Sequence, residues 1–550
     1  MTALLLALPV LLPVLALGVS LLGMPRTVVR ALSTAVLGAV LADAAALLVL
    51  ADERGPLVLH VGGWPAPVGI TLVADRLSAL LLTVSVLVAL AVLLFAIGEG
   101  TAEEREGTAV AFHPAYLALV GGVSLAFLTG DLFNLFVAFE VMLCASYILI
   151  TLDADESRIR AGMTYTIVSL TSSLLFLTLV ALVYAATGTV TLAQLGERLA
   201  ELPGGLRAAL GLLLLVALGI KAAIVPLHFW LPDSYPTAPA PITAVFAALL
   251  TKVGLYALLR TQTLLFPRTE VWTLLAAMAI AAMVAGILGA LAQDDINRLL
   301  SFTLVSHIGF MLFGLALFDV RGLTGTILYV VHHIVVQAAL FLAAGLIVRR
   351  TGTAALHRMR DRPPPGPVAA ALFAVPALSL AGVPPFSGFV AKLALLRAGV
   401  SAAGPMPYAL AGAALLTSLL TLYAMARVWD AAFSGSAPRA AVPDPGRPYA
   451  AGAYPARTDA RPDPARPRPS GPGPPESQPA PVAVPPEQPR GGAVGPRGTR
   501  LMLAATAAMT AAGVAVAVLA GPLARAGERA ADDLLHPQRY QSAVLTEEDR

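Results

Sequence analysis

A succession of continuous apolar runs, each long enough to cross a bilayer, decides most of what this chain can fold into. A helical crossing needs about 20 apolar residues. Runs of that kind lie near 1–22, 28–51, 72–97, 111–129, 131–151, 160–187, 205–230, 239–262, 271–292, 298–318, 322–348, 366–396, 405–430 and 500–523. Inside lipid the backbone has no water to bond to, so only helices and closed barrels span. These runs do not alternate between apolar and polar positions, which excludes a barrel. The expected fold is an all-α polytopic membrane protein with about fourteen transmembrane helices. A mean hydropathy of +0.80 and a charged fraction of only 13% fit a chain mostly dissolved in lipid.

Several function classes fall away on composition. A net charge of +3 is too small to argue for nucleic acid. The single cysteine, Cys144, permits neither a disulfide nor Fe–S ligation within the chain. Neither a Walker-type phosphate loop nor a G-x-G-x-x-G turn after a strand is present. No cofactor is expected. The N-terminal run has no basic segment ahead of it and reads as a retained first span. The loop from Arg349 to Arg362 carries five arginines, so it is expected on the cytoplasmic side, with both termini outside. Residues 431–499 are rich in Pro, Gly, Ala and Arg and read as a disordered cytoplasmic linker, with a proline-rich docking site as the functional alternative. Residues 524–550 read as a polar tail.

The distribution of lysine is the most informative chemical feature. Of 36 basic residues only three are lysine, Lys221, Lys252 and Lys392, and all three sit in apolar spans while loops and tails use arginine. A guanidinium stays protonated under any accessible condition, whereas burial can lower an amine's pKa of about 10.4 by about 3–5 units. A buried base that must release and regain a proton is therefore lysine or histidine. Snorkelling, the static alternative, fits poorly for Lys252, which has apolar sequence on both sides. Glu140 is the matching acid, the one charged residue of "LFNLFVAFEVMLCASYILITL", and Lys221 is its expected partner. A static packing pair is the competing role for those two. Asp43 is a second intramembrane acid with no assigned partner.

Two of the lysines accompany helix breakers. Pro226 and His228 follow Lys221, while Pro384, Pro385 and Gly388 precede Lys392. Proline within a span frees carbonyls that only protein or a water-filled cavity can satisfy, and such broken helices mark ion paths. His307 and His332 are relay positions on this reading. His333 is a weaker one, since adjacent helical residues point apart by roughly 100°.

The segment "FLTGDLFNLFVAFEVMLCASYILITL" (127–152) resembles the signature of the D-type members of Mrp antiporters. "GIKAAIVPLHFWLPDSYPTAPAPITAVFAALLTKVGLYALLR" (219–260) is similar to the core of the wider proton-antiporter family, which includes antiporter-like subunits of complex I and membrane-bound hydrogenases. "SLAGVPPFSGFVAKLALL" (379–396) is similar to that family's second-half motif. The resemblance implies N-terminal helices over 1–110 and a core of two inverted five-helix repeats over 111–430. Each repeat would hold a broken helix, and a last span would lie at 500–523. By similarity Glu140 and Lys221 are the acid and broken-helix lysine of the first half, Lys252 the central lysine and Lys392 the exit-side lysine. The implied role is proton translocation coupled to a monovalent cation such as Na+. It would take place within a hetero-oligomer of Mrp subunits in the cell membrane. A proton-pumping subunit of a redox complex is the alternative. Two departures stand out: Gln337 where the family pattern suggests a lysine, and Asn297–Arg298 where it often has a basic pair.

Overall fold

The computed structural model describes residues 2–103, 109–152, 156–267, 271–434 and 495–545. The expected linker lies almost wholly outside the described residues. Three helices open the chain: α1 (Thr2–Ser20), α2 (Arg26–Arg54) and α3 (Arg76–Glu99). A short antiparallel hairpin, Leu57–His60 with Thr71–Ala74, joins the last two and was not legible as strand. Next come α4 (Ala109–Leu128), α5 (Leu132–Thr151), α6 (Glu156–Thr187), the short α7 (Leu192–Ala200) and α8 (Gly204–Lys221). The chain then turns through α9 (Trp230–Ser234) into α10 (Ala240–Val245), a π-helical stretch (Phe246–Leu250) and α11 (Thr251–Leu264).

The second half runs through α12 (Val271–Leu291), α13 (Ile296–Leu317), α14 (Val320–Thr351), the short α15 (Leu356–Met359), α16 (Pro367–Ala381), α17 (Ser387–Ala402) and α18 (Pro405–Phe433). Beyond the undescribed stretch lie α19 (Pro496–Val518), α20 (Ala520–Leu535) and α21 (Gln538–Val544). Thirteen helices among the described residues are long and apolar enough to cross a membrane. The fourteenth expected span, 366–396, is the broken pair α16–α17. The span expected at 205–230 stops at Lys221, because the segment carrying Pro226 leaves the helix.

Aspartates start several of these helices. Asp75 accepts from the Ser78 amide and Asp319 from the Gly322 amide, satisfying donors that a helix start leaves open. Asp131 and Asp295 do the same for α5 and α13, and they reveal an internal repeat. At the first corner Leu132 N–H donates to Val190 O (2.9 Å) and Leu192 N–H to Gly130 O (3.0 Å). At the second, Ile296 N–H donates to Ala354 O (3.0 Å) and Leu356 N–H to Asp294 O (2.7 Å). Thr187-Gly188-Thr189 before the first exchange matches Thr351-Gly352-Thr353 before the second, both glycines having a φ of +74°. A Cβ on Gly122 would press on Met142 and one on Gly286 on Ser306, the same close approach in each half. The same spacing along the chain relates every one of these pairs. Each unit makes five crossings, so the second copy necessarily enters from the opposite side and is inverted.

Helix ends sort into two sets of ion pairs. One end holds Arg298–Asp233 (3.0 Å) and Arg360–Asp430 (2.7 Å). The opposite end holds Arg76–Asp52 (2.9 Å), Arg76–Asp533 (2.6 Å), Arg529–Asp52 (2.7 Å) and the buried Arg260–Asp75 (2.5 Å). Counting crossings from the arginine-rich loop puts each residue at the end where it is found. The segment read as a polar tail thus folds largely as α20 and α21. Its acids and bases pair across α2 and α3, and Tyr540 lies against the Arg260 guanidinium (5.2 Å).

Candidate proton path

Lys221 is the last residue of α8, where the chain leaves the helix and the final carbonyls lack intrahelical donors. A Cβ on Gly254 would lie 2.8 Å from the Ala222 amide nitrogen, so glycine there lets α11 press directly onto this break. Lys221 Nζ donates to Ser173 Oγ (3.1 Å) and stands 4.8 Å from the centre of the Phe139 ring. Glu140 follows Phe139 on α5. Its Oε1 is buried without a hydrogen-bond partner, and the residue itself is half-buried on a face that exposes Phe133, Val137 and Val141. The expected contact pair is therefore not closed. Ser173 takes the lysine.

Lys252 is 1% exposed, immediately after the π-helical stretch. Such a stretch breaks the regular bonding ladder. Lys252 Nζ donates to the carbonyl oxygen of Ala247 within it (2.6 Å). Lys392 uses the other break in a similar way. Its Nζ donates to the carbonyl oxygens of Leu380 (2.9 Å) and Ala381 (3.0 Å), the open C-terminal carbonyls of α16, and stands 4.9 Å from the Phe310 ring centre.

The three histidines lie on α13 and α14, all fully buried. His307 Nδ1 bonds the Tyr329 hydroxyl (2.7 Å), and its Nε2 lies 3.4 Å from Thr421 Oγ1. The His307 and His333 rings are 5.4 Å apart. His332 faces the other way. Its Nδ1 bonds Ser387 Oγ (2.9 Å), while its Nε2 is buried without a partner. His333 thus belongs to the cluster as fully as His307 and His332 do. Gln337 Nε2 donates to Leu300 O (3.0 Å), and its Oε1 is buried with no partner.

Asp43 stands apart on α2, its two carboxylate oxygens buried without hydrogen-bond partners. Asn297 and Arg298 lie at the start of α13, and Arg298 pairs with Asp233 away from the lysines. Outside the spans, burial pushes the Asp131 carboxyl above the usual carboxylate range, opposed by the amides of Asn134 and Phe133. Charge-based reading missed the hydroxyls, Ser173, Tyr329, Ser379, Ser387 and Thr421. Sequence signalled only two of them, the serines on either side of Pro384–Pro385.

Buried amines and imidazoles and a half-buried carboxyl, set among the helices of an inverted repeat, define a multi-pass membrane protein with titratable side chains inside its spans. Residues 129–421 match the family described as NADH:quinone oxidoreductase/Mrp antiporter, transmembrane, and the chain belongs to that family. The D-type Na(+)/H(+) antiporter protein of Alkalihalophilus pseudofirmus is 42% identical over 386 residues, 70% of this chain and 77% of that one. Its counterpart in Bacillus subtilis is 37% identical over 433 residues, 78% and 86% of the two chains. Among solved structures, a chain of the Mrp complex from Dietzia sp. DQ12-45-1b superposes with a TM-score of 0.82 at 34% identity, covering 99% of this chain and all of that one. A chain of an archaeal membrane-bound sulfane sulfur reductase shares the fold, with a TM-score of 0.77 at 22% identity.

Proposed function

We propose that this chain is the D-type, proton-translocating component of a multisubunit Na+/H+ antiporter in a bacterial cell membrane. The observation that carries the reading is how the lysines are held. Each of the three is buried and donates to a serine or to carbonyls at an irregular point of a helix, with no contact carboxylate among the described residues. An ammonium held only by neutral acceptors is not locked into its charged form by an ion pair, as a structural cation would be. Protons would run from Glu140 and Lys221 through Lys252 and the histidines His333, His307 and His332 to Lys392. Glu140 opens onto the outer surface of the chain, which supports a role inside a larger assembly.

Cation-driven proton movement in membrane vesicles, with assembly checked by co-purification, tests this. Glu140→Ala and Lys221→Ala are each expected to abolish flux in an assembled complex. Wild-type flux in either would remove the path, and co-purification with Fe–S or flavoprotein subunits would move the chain to a redox-driven pump.

A further inference from the structure

Between His332 and Lys392 the break of the second half places two hydroxyls that the charged path does not include. Ser387 opens α17 and Ser379 lies in the last turn of α16, so the pair straddles the break. His332 Nδ1 bonds Ser387 Oγ (2.9 Å), Ser387 Oγ bonds Ser379 Oγ (3.1 Å), and the Gly388 amide donates to Ser379 Oγ (3.4 Å). All three side chains are buried, at 0, 2 and 3% exposure. Lys392 Nζ donates to the carbonyl oxygens of Leu380 and Ala381, the two residues that follow Ser379.

Two glycines hold this junction closed. A Cβ on Gly388 would lie 1.7 Å from Ser379 O, and one on Gly382 would lie 2.8 Å from Lys392 Cδ. Ser387 does not serve as an ordinary helix cap, because its hydroxyl bonds run to His332 and Ser379. His332 Nε2 has no hydrogen-bond partner, so among the described residues the ring is anchored by its Nδ1 bond to Ser387.

Resting on the proton path proposed above, we infer that the Ser387–Ser379 pair is a hydroxyl relay carrying protons between His332 and Lys392 across the break. A serine hydroxyl donates one hydrogen, accepts at two lone pairs and rotates freely. As the His332 imidazolium passes its Nδ1 proton to Ser387 Oγ, Ser387 passes its own hydroxyl proton to Ser379. The neutral Lys392 amine swings from the Leu380 and Ala381 carbonyls to Ser379 Oγ and takes the proton there. Imidazole ends neutral, lysine ends protonated, both serines end as neutral hydroxyls, and hydroxyl rotation resets the chain. No other reactant is needed.

The test uses the assembled complex in vesicles, comparing Ser387→Ala, Ser379→Ala, the double variant and Ser387→Thr. Cation-driven proton flux is measured in H2O and D2O, with assembly quantified by co-purification. The alanine variants are expected to lose roughly a hundredfold in flux per assembled complex, the scale of a positioned proton-transfer group. Their H2O/D2O flux ratio should rise, and Ser387→Thr should restore both values. A structural staple would lower assembly or flux without moving the isotope ratio, and that result overturns the relay, as does wild-type flux in the double variant. Lys392→Ala in the same assay separates the two levels. If it kills flux while the serine variants do not, only the relay fails; if it transports normally, the underlying path fails.

Discussion

Replacing Lys252 with arginine keeps the charge and nearly the length of the side chain while removing its capacity to lose a proton. A guanidinium with a pKa above about 12 is neutral in at most about one molecule in 10,000 at pH 8. If each transported proton must pass through the neutral form of residue 252, flux falls by about three orders of magnitude or more, below background. The site makes this a clean comparison. Lys252 Nζ rests on the single carbonyl of Ala247, an acceptor that a guanidinium also satisfies, and no carboxylate contacts it. A static cation would tolerate the change. The assay is Na+-driven ΔpH in everted vesicles across a pH series, normalised to complex recovered by co-purification. Lys252→His tests the same logic from the other side, since imidazole still cycles, and partial activity displaced toward acid pH is expected. Wild-type transport by Lys252→Arg in an assembled complex refutes the reasoning.

Asp75→Asn leaves the Arg260 guanidinium buried without its counter-charge, and a loss of about 3–5 kcal/mol of stability is expected, seen as a lower unfolding temperature of the purified complex. Gly388→Ala drives a methyl into the Ser379 carbonyl; it should cost at least the roughly 1–3 kcal/mol of overpacking and reduce assembly, measured as recovered complex. Deleting most of 440–495 while keeping about ten flexible residues should leave transport near wild type; lost activity in an assembled complex would make the segment a docking element.

Hydropathy made the spans legible because a crossing segment must be apolar along its whole length, whatever it packs against. The repeat was not legible. Helices facing lipid are free to drift in sequence, and what persists is sparse: corners such as Asp131 and Asp295, or Gly188 and Gly352, where bonds between loops fix the backbone, and close approaches such as those at Gly122 and Gly286. The charged residues of the path were legible for the opposite reason, as a buried lysine or glutamate is too costly to place idly. Serine and threonine carry no such cost. Thr171 and Thr178 bond carbonyls of their own helix, and nothing in sequence separates them from Ser173 and Thr421. The closing helices α20 and α21 were read as a tail because their composition is polar. Their order comes from Asp52, Arg76 and Arg260, hundreds of positions away.

A frame that maps onto itself when turned over has no preferred direction of its own. The corners and the glycine contacts of the two halves are near-images, related by one spacing along the chain. What distinguishes the halves is the chemistry at the positions where they differ. Glu140 faces a leucine, Leu304, at the matching point of the second half, and Ser173, which receives Lys221, is matched by Gln337. At those two points the halves are chemically unequal: one offers an acid and a hydroxyl, the other an aliphatic chain and an amide.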